Sequence, residues 1–312
     1  MAAPCSNEIG SVGKVLLDPE RPLPVRFRAL FTLRNLGGSE AVDYICRAFE
    51  DDSALLKHEL AYCLGQMRNR RALPVLIKVL CDRQQEPMVR HEAGEAMGAI
   101  GDPEVLDLLK EYSQDPVTEV AETCQLSLRR IEWLQQNPDV HNGSPYLSVD
   151  PAPPAEEKEI TTLRTKLLNE TLPLFDRYRA MFALRNIGGK AAVLALAEGN
   201  FLLNWHLFGL QCGSSLFRHE VGYVLGQMQH EAAVPELSAA LERYEENPMV
   251  RHECAEALGS IAHEDCLKAL RAHIQDAERV VRESCEVALD MYDYEHSGDF
   301  QYANGLSKTQ EQ

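Results

Sequence analysis

The sequence predicts an all-α fold, an α-solenoid of about eight stacked helix pairs arranged as two pseudo-symmetric halves. Three observations lead to this prediction. The chain contains a long-range duplication, each half contains a shorter repeat, and the composition is 45% hydrophobic but only 7% aromatic. Repeats of about 20 to 50 residues with apolar residues at helical spacing are typical of stacked helix pairs.

The duplication is visible in three pairs of nearly identical segments. They are 26–38 with 177–189, 57–67 with 218–228, and 87–92 with 248–253. The offset is 151 for the first pair and 161 for the other two, so the second half carries ten extra residues. These residues fall between Gly189 and Arg218 and form an apolar insert near 200–209.

A shorter pattern recurs four times within each half. Its third position is occupied, in chain order, by Phe27, His58, His91, Glu122, Tyr178, His219, His252 and Glu283. Within the first half these positions lie 31 or 33 residues apart. This spacing, and the Val-Arg-x-x-Ala-x-x-Ala-Leu character of the second helix of each pair, resemble HEAT repeats. Glycine pairs at Gly37 and Gly188 supply turn signals between repeats.

The repeats set the predicted domain boundaries. We expect a four-repeat half at 1–136, a proline-rich linker at 137–158, a second four-repeat half at 159–295 and a polar tail at 296–312. Proline without apolar periodicity predicts that the linker is semi-rigid. The tail lacks apolar periodicity as well and is expected to be loose.

The chain is strongly acidic, with 31 basic and 48 acidic residues and a formal charge of −17. This charge argues against nucleic-acid binding and favours a cationic partner or simply a soluble surface. No stretch reaches the roughly 18 apolar residues of a membrane span, and the N-terminus has no signal-like segment, so we expect a cytoplasmic protein without membrane contact. The nine cysteines should be reduced thiols, with Cys124, Cys254 and Cys285 in the core.

Six His-Glu dipeptides stand out, with histidines at 58, 91, 219, 230, 252 and 263. Four of them recur at one site of the repeat, in the two inner repeats of each half. The other two begin at His230 and His263, which align with Asn69 and Asp102 in inter-repeat turns. The first half has no His-Glu pair at these turns. We therefore interpret these two dipeptides as parts of surface loops.

The four recurring pairs suggest a metal site. Equivalent positions on stacked helices lie roughly 8–10 Å apart, so imidazoles from two helices can reach one ion. Two histidines and one carboxylate with open positions form the arrangement associated with non-haem Fe(II) and oxygen chemistry. Each half offers one such set, so we expect two ions. Consecutive residues point about 100° apart around a helix, so some of the glutamates should support the ligands or anchor substrate instead.

Other interpretations stay open on the residues alone. The pairs could form a hydrogen-bond ladder between repeats, or persist from the duplication without function. The chain could be a metal-free scaffold that binds a basic protein partner, the usual role of solenoids. A two-zinc or two-manganese hydrolase also fits the ligand types, whereas the lack of cysteine ligands disfavours a structural zinc site.

The segments around the inner histidines resemble one enzyme family. Leu55–Met67, Glu86–Ala96 and their second-half counterparts are similar to the motifs of deoxyhypusine hydroxylases, and the resemblance covers nearly the whole chain. It implies a HEAT-repeat di-iron monooxygenase with two Fe²⁺ ions per chain. It also implies the reaction, in which molecular oxygen hydroxylates the deoxyhypusine side chain of eukaryotic translation initiation factor 5A and completes hypusine.

The resemblance also implies a role for each matching residue. The residues implied to hold the two irons are His58, His91 and Glu92 in the first half and His219, His252 and Glu253 in the second. Glu59 and Glu220 would be the catalytic, substrate-binding carboxylates that anchor the amines of the cationic side chain. The insert near 200–209 departs from the family pattern, and it bears on the placement of His219 because it precedes that residue.

Overall fold

The structure, a computed structural model, describes residues 6–138, 145–201 and 213–305. These ranges contain sixteen α-helices and no β-strand, so the predicted all-α fold is confirmed. Consecutive helices make eight pairs, the predicted number of repeats. The helices are α1 (Ser6–Leu17), α2 (Leu23–Leu36), α3 (Gly38–Arg47), α4 (Ala54–Met67), α5 (Leu73–Cys81), α6 (Pro87–Ile100), α7 (Leu106–Tyr112), α8 (Thr118–Gln136), α9 (Ile160–Leu168), α10 (Leu174–Ile187), α11 (Gly189–Phe201), α12 (Ser215–Met228), α13 (Val234–Leu241), α14 (Pro248–Ile261), α15 (Glu264–His273) and α16 (Arg279–Glu295).

The helices belong to two compact units. Unit 1 comprises Met1–Ile131 and Gly298–Gln312, and unit 2 comprises Glu132–Ser297. The boundary between them falls inside α8, whereas the repeat pattern places it at residue 136. Residues 202–212, which hold most of the predicted insert and His206, lie outside the described residues. None of the described helices combines the length and the apolar composition needed to cross a membrane.

The four helices that carry the inner histidines begin at strong local signals. Ser53 and Ser214 cap α4 and α12, and each hydroxyl accepts a hydrogen bond of 3.0 Å from the backbone amide three residues on. Pro87 and Pro248 begin α6 and α14, where the fixed φ of proline suits the helix and its missing amide costs no intrahelical bond. These signals determine where each helix starts, and therefore where its histidine lies along it.

Within each unit, the two histidine-bearing helices pack with their backbones close together. A Cβ atom added at Gly65 of α4 would lie 2.8 Å from the Cα atom of Ala96 on α6. One added at Gly226 of α12 would lie 3.0 Å from the Cα atom of Ala257 on α14. Glycine allows this approach because it has no side chain. The close contact fixes the separation of the facing residues on the two helices.

Buried ion pairs fix the first turns of α6 and α14. Arg251 Nε donates to the carbonyl of Leu241 at 2.9 Å, and its two terminal nitrogens donate to Asp276 at 2.5 and 3.2 Å. Arg90 makes the equivalent contacts in unit 1. Each arginine directly precedes a site histidine, so the ion pair holds the turn from which that histidine projects.

The described part of the linker, 145–158, is anchored on α10. Arg185 forms a bidentate ion pair with Asp150 at 2.6 and 2.9 Å, and both side chains are buried. The backbone amide of Ala155 donates to the carbonyl of Arg179 at 2.9 Å. Apolar periodicity misses these contacts because a buried charge pair and backbone groups make them, not an apolar helix face. The segment is therefore part of unit 2 and not a free spacer.

The described part of the tail packs on α2. The ring centroid of Tyr302 lies 6.1 Å from that of Phe31, and the guanidinium of Arg28 lies 4.5 Å from the Tyr302 ring. The expected loose tail is therefore corrected for residues 298–305, which belong to unit 1. Composition concealed the contact because a single aromatic side chain in an otherwise polar segment makes most of it.

The three cysteines predicted to lie in the core are buried. Cys124, Cys254 and Cys285 each have no exposed surface. Burial raises the pKa of the Cys124 and Cys285 thiols to about 12, so both stay protonated at neutral pH. These residues fill space between helices and take no part in the sites described below.

Candidate metal centres

In unit 1 the predicted ligands come together between α4 and α6. His58, on α4, and His91, on α6, have ring centroids 5.5 Å apart, and His58 Nε2 lies 3.4 Å from Glu92 Oε2. Each of the three offers a ligand atom, and these atoms all lie within 4.8 Å of one another. All three side chains are buried, with at most 4% of their surface exposed. Unit 1 therefore holds a buried group of two imidazoles and one carboxylate that could bind a metal ion.

Glu59, the glutamate that directly follows His58, faces a different nitrogen of the His58 imidazole. Its Oε1 atom lies 3.2 Å from His58 Nδ1, on the opposite side of the ring from the nitrogen that faces Glu92. A proton on Nδ1 donates to this carboxylate and leaves the Nε2 lone pair directed at the ligand group. Two neighbouring glutamates, Glu59 and Glu92, thus occupy different positions around one histidine.

Unit 2 repeats this arrangement between α12 and α14. The ring centroids of His219 and His252 lie 5.2 Å apart, and His219 Nε2 lies 3.2 Å from Glu253 Oε2. These side chains and that of Glu220 are all buried. His219, which follows the insert, therefore lies beside both His252 and Glu253, but these three residues do not offer ligand atoms that all lie within 4.8 Å of one another.

Glu256 also lies close to this group, and the sequence reasoning missed it. It follows His252 by one helical turn, and its Oε1 atom lies 3.8 Å from His252 Nδ1. His252, Glu253 and Glu256 offer ligand atoms within 4.8 Å of one another. The signal that could have revealed this carboxylate is Glu95, which occupies the same place in the first half.

Two buried thiols, Cys63 and Cys254, lie near the groups but do not belong to them. Burial raises the pKa of Cys63 far above its ordinary value, and the charges of Glu59 and Glu92 raise it further. Burial likewise raises the pKa of Cys254, and the charge of Glu253 adds to the effect. The groups of described residues that could hold an ion offer imidazole nitrogens and carboxylate oxygens only.

A glycine leaves room for the carboxylate in unit 2. A Cβ atom added at Gly222 would lie only 3.2 Å from Glu253 Cγ, tighter than an ordinary van der Waals contact. Ala61 occupies the equivalent position in unit 1 and carries such a Cβ atom. The two centres therefore differ slightly in the space around their carboxylates, although their ligand types are the same.

The two remaining His-Glu dipeptides lie in surface turns, as predicted, and their histidines are helix caps. His230 Nδ1 accepts a hydrogen bond of 3.0 Å from the backbone amide two residues on, and His263 Nδ1 accepts one of 3.3 Å. Asn69 and Asp102 accept the same bond at the equivalent turns of the first half. Capping explains these histidines because asparagine and aspartate are the usual residues for that role.

Aromatic side chains take the histidine position in the first repeat of each unit. Phe27 on α2 and Tyr178 on α10 are both buried. The Tyr178 ring packs 5.7 Å from that of Phe217, on the helix that carries His219. The hydroxyl of Tyr178 also donates to the carbonyl of Leu216 on that helix at 3.5 Å, so Tyr178 contacts the helix of His219 through both its ring and its hydroxyl.

The family models that match the chain are repeat models. "HEAT repeats" matches residues 46–129 and 208–290, and "PBS lyase HEAT-like repeat" matches 25–51 and 176–199. The matched ranges include all four helices that carry the inner histidines. The HEAT-like pattern predicted from the sequence is thus confirmed.

Relatives of this protein match it over nearly its whole length. The chain is 77% identical over 312 residues to the deoxyhypusine hydroxylase of Xenopus laevis, with 100% of both chains covered. It is 69% identical over 307 residues to that of Bos taurus, covering 97% of each. The solved structure of human deoxyhypusine hydroxylase in complex with glycerol matches with a TM-score of 0.87 and 68% identity, over 92% of this chain and 96% of that one.

Proposed function

Because the chain belongs to the deoxyhypusine hydroxylase family, we propose that it hydroxylates the deoxyhypusine side chain of eukaryotic translation initiation factor 5A with molecular oxygen and so completes hypusine. One observation on the molecule itself supports the proposal most strongly. Two buried imidazoles and a buried carboxylate converge between paired helices in unit 1. In unit 2 two buried imidazoles lie 5.2 Å apart, and a carboxylate oxygen of Glu253 lies 3.2 Å from one of them.

The donor atoms suit iron. Imidazole and carboxylate donors without thiolate are typical of non-haem iron sites that react with oxygen. In unit 1 an imidazole nitrogen and a carboxylate oxygen face each other at 3.4 Å, an arrangement that a bound cation would stabilise. We propose two Fe²⁺ ions per chain, one in each unit, which supply the activation of molecular oxygen when bound. Their ligands would be His58, His91, Glu92, His219, His252 and Glu253.

Glu59 and Glu220 are proposed to bind the substrate. Both carboxylates are buried and directly follow a proposed ligand histidine in the chain, which places negative charge next to the metal group. The amines of a lysine-derived side chain are attracted to such carboxylates, and their binding there would place the reacting carbon beside the metal group. The formal charge of −17 favours approach of a basic substrate protein. The reaction is proposed to take place in the cytoplasm, where such a translation factor acts.

Substitution of Glu59 on α4 and of Glu92 on α6 separates the proposed roles. Glu92→Gln should lose iron and activity together, because an amide is a weaker ligand than a carboxylate. Glu59→Gln keeps an oxygen that can accept the His58 Nδ1 proton, so it should keep its iron. It should lose turnover or raise KM, because it removes the charge that holds the amine. Iron per chain and hydroxylation of the modified factor are measured on the same preparations. His263→Ala is the control, since its ring caps a surface turn.

The same measurements test the alternatives. Wild-type protein that carries no stoichiometric iron would favour a metal-free scaffold, in which the buried pairs act as a hydrogen-bond ladder between repeats. Turnover without oxygen would favour a dinuclear hydrolase. Full activity of Glu92→Gln would contradict the ligand assignment while leaving the reaction itself in place.

A further inference from the structure

We propose that the hydroxyl groups of Thr123 and Ser284 position the imidazole rings of His91 and His252 for metal binding. This inference rests on the iron-dependent function proposed above, and it concerns two residues outside the ligand groups. Thr123 lies on α8, which packs on α6, and Ser284 lies on α16, which packs on α14. Both act through another residue and are therefore positioning residues, not catalytic ones.

In unit 1 the hydroxyl faces the outer nitrogen of the imidazole. Thr123 Oγ1 lies 3.5 Å from His91 Nδ1, and both side chains are buried. A histidine that binds metal through Nε2 carries its proton on Nδ1, and that N–H needs an acceptor. The Thr123 oxygen is placed to accept it. The distance is at the long limit for a hydrogen bond, so the duplicated unit provides a necessary second observation.

In unit 2 the equivalent residue is also a buried hydroxyl. Ser284 has no exposed surface, and its Oγ atom makes no hydrogen bond within the described residues. A buried hydroxyl without a partner is unfavourable, so packing alone does not account for serine at this position. His252 stands in the same relation to Ser284 as His91 does to Thr123. The carboxylate of Glu256 also faces His252 Nδ1, but at 3.8 Å it lies beyond hydrogen-bond distance. The missing partner of Ser284 is accounted for if its oxygen accepts the Nδ1 proton of His252 once a metal ion holds the ring.

At these equivalent positions the two units differ in which helix carries a methyl group, but both have a side-chain hydroxyl. A Cβ atom added at Gly94 would lie 3.4 Å from Thr123 Cγ2. Unit 2 has Ala255 where unit 1 has Gly94, and Ser284 where unit 1 has Thr123. The methyl group therefore belongs to Thr123 in unit 1 and to Ala255 in unit 2, whereas the hydroxyl is on the same helix of the pair in both units. The need to fill the space between the helices explains why one methyl group is present in each unit. It does not explain why both units have a hydroxyl.

Other buried hydroxyls of the chain show what a purely structural role looks like. Thr32 Oγ1 donates to the carbonyl of Arg28, one turn back in its own helix, at 2.7 Å. Ser127 Oγ, one turn after Thr123, donates across to the carbonyl of Gly94 at 3.0 Å. Both bonds are common for hydroxyls in helices. Within the described residues Thr123 makes neither, and its contact is with the imidazole.

Two substitutions at one position separate the oxygen from the methyl group. Thr123→Val keeps the shape and removes the hydroxyl, whereas Thr123→Ser keeps the hydroxyl and removes the methyl. In the full-length protein we expect Thr123→Val to weaken Fe²⁺ binding at one of the two sites by about 10- to 100-fold, the usual effect of losing such a support. Thr123→Ser should bind iron like the wild type. Affinity is measured by competition with a chelator, and the fold by circular dichroism.

Ser127→Ala is the matched control, because it removes a buried hydrogen bond on the same helix without facing an imidazole. It should lower the melting temperature and leave iron affinity unchanged. Ser284→Ala removes a single oxygen atom and repeats the test in unit 2, even if Thr123→Val fails to fold.

The inference is overturned if Thr123→Val and Ser284→Ala bind iron as tightly as the wild type. It is also overturned if Thr123→Ser loses as much affinity as Thr123→Val, since the methyl group is then responsible. Wild-type protein that binds no iron would instead overturn the proposed function, so the two failures are distinguishable.

Discussion

Breaking the buried ion pair between Arg251 and Asp276 is expected to destabilise unit 2 strongly, and Asp276→Asn tests this expectation. Both side chains are almost fully buried, and Arg251 directly precedes His252. Asparagine has the size of aspartate but no charge, so the guanidinium would be left buried without a counter-ion. Breaking a buried pair in this way costs about 3–5 kcal/mol.

This loss of unfolding free energy is measurable as a decrease in melting temperature. For a domain of about 150–250 residues, 1 kcal/mol shifts Tm by about 2–4 °C, so Asp276→Asn should lower the Tm of unit 2 by roughly 6–20 °C. Calorimetry, fitted with a separate transition for each unit, measures this shift. Asp43→Asn is the control, because Asp43 also pairs with Arg71 through two hydrogen bonds but both side chains are about half exposed. If both variants melt alike, the reasoning from burial is refuted.

The stability lost in Asp276→Asn is also expected to depend on pH. Burial raises the pKa of Asp276, but hydrogen bonds from Arg251 and from the backbone amide of Glu278 lower it more, and the net pKa lies below the ordinary value. A lowered pKa in the fold stabilises the protein above the unfolded pKa of about 4, and this contribution is lost as the pH falls through the folded pKa. The stability difference between wild type and Asp276→Asn should therefore narrow below about pH 4. A constant difference from pH 7 to pH 2 would contradict this account.

Three further predictions concern packing and reactivity. Gly259→Ala should destabilise unit 2 by about 1–3 kcal/mol in urea, since the new Cβ atom would lie 2.7 Å from the Cα atom of Ala288; unchanged stability would contradict the close packing. Tyr302→Ala should cost unit 1 about 0.5–1.5 kcal/mol or more, whereas Phe300→Ala, which changes an exposed ring, should cost nothing measurable. Burial raises the pKa of Cys46 to about 11, so iodoacetamide should label it slowly at pH 8 and much faster near pH 11.

The proximity of the site histidines was predictable from repeat arithmetic. His58 and His91 lie one repeat apart, and so do His219 and His252. In a stack of helix pairs, residues one repeat apart occupy neighbouring helices at the same height. The pairing therefore needs no information beyond the period and the helical character of each repeat.

Contacts made by single side chains outside the period were not predictable. Asp150 lies in a proline-rich segment with no pattern, yet it is the buried partner of Arg185. Tyr302 lies in a polar tail, yet its ring packs on α2. Thr123 is one of several hydroxyls on the helices, and only its position relative to His91 distinguishes it. Each of these contacts depends on where a distant segment lies in space, which local periodicity does not encode.

The sequence by itself determined the helical repeat, the duplication and the residue types that meet between the inner helices. The residue pattern left open which glutamate of each unit joins the two imidazoles, although the family resemblance implied Glu92 and Glu253, and the tertiary structure supplies the physical reason. Glu59 and Glu92 are both next to a histidine, but Glu92 joins the ligand group and Glu59 lies at the outer nitrogen of His58. Neighbouring residues point about 100° apart, so the choice depends on the rotation of each helix about its axis. That rotation is set by contacts between helices, such as the approach of Gly65 to Ala96, and not by any pattern along the chain.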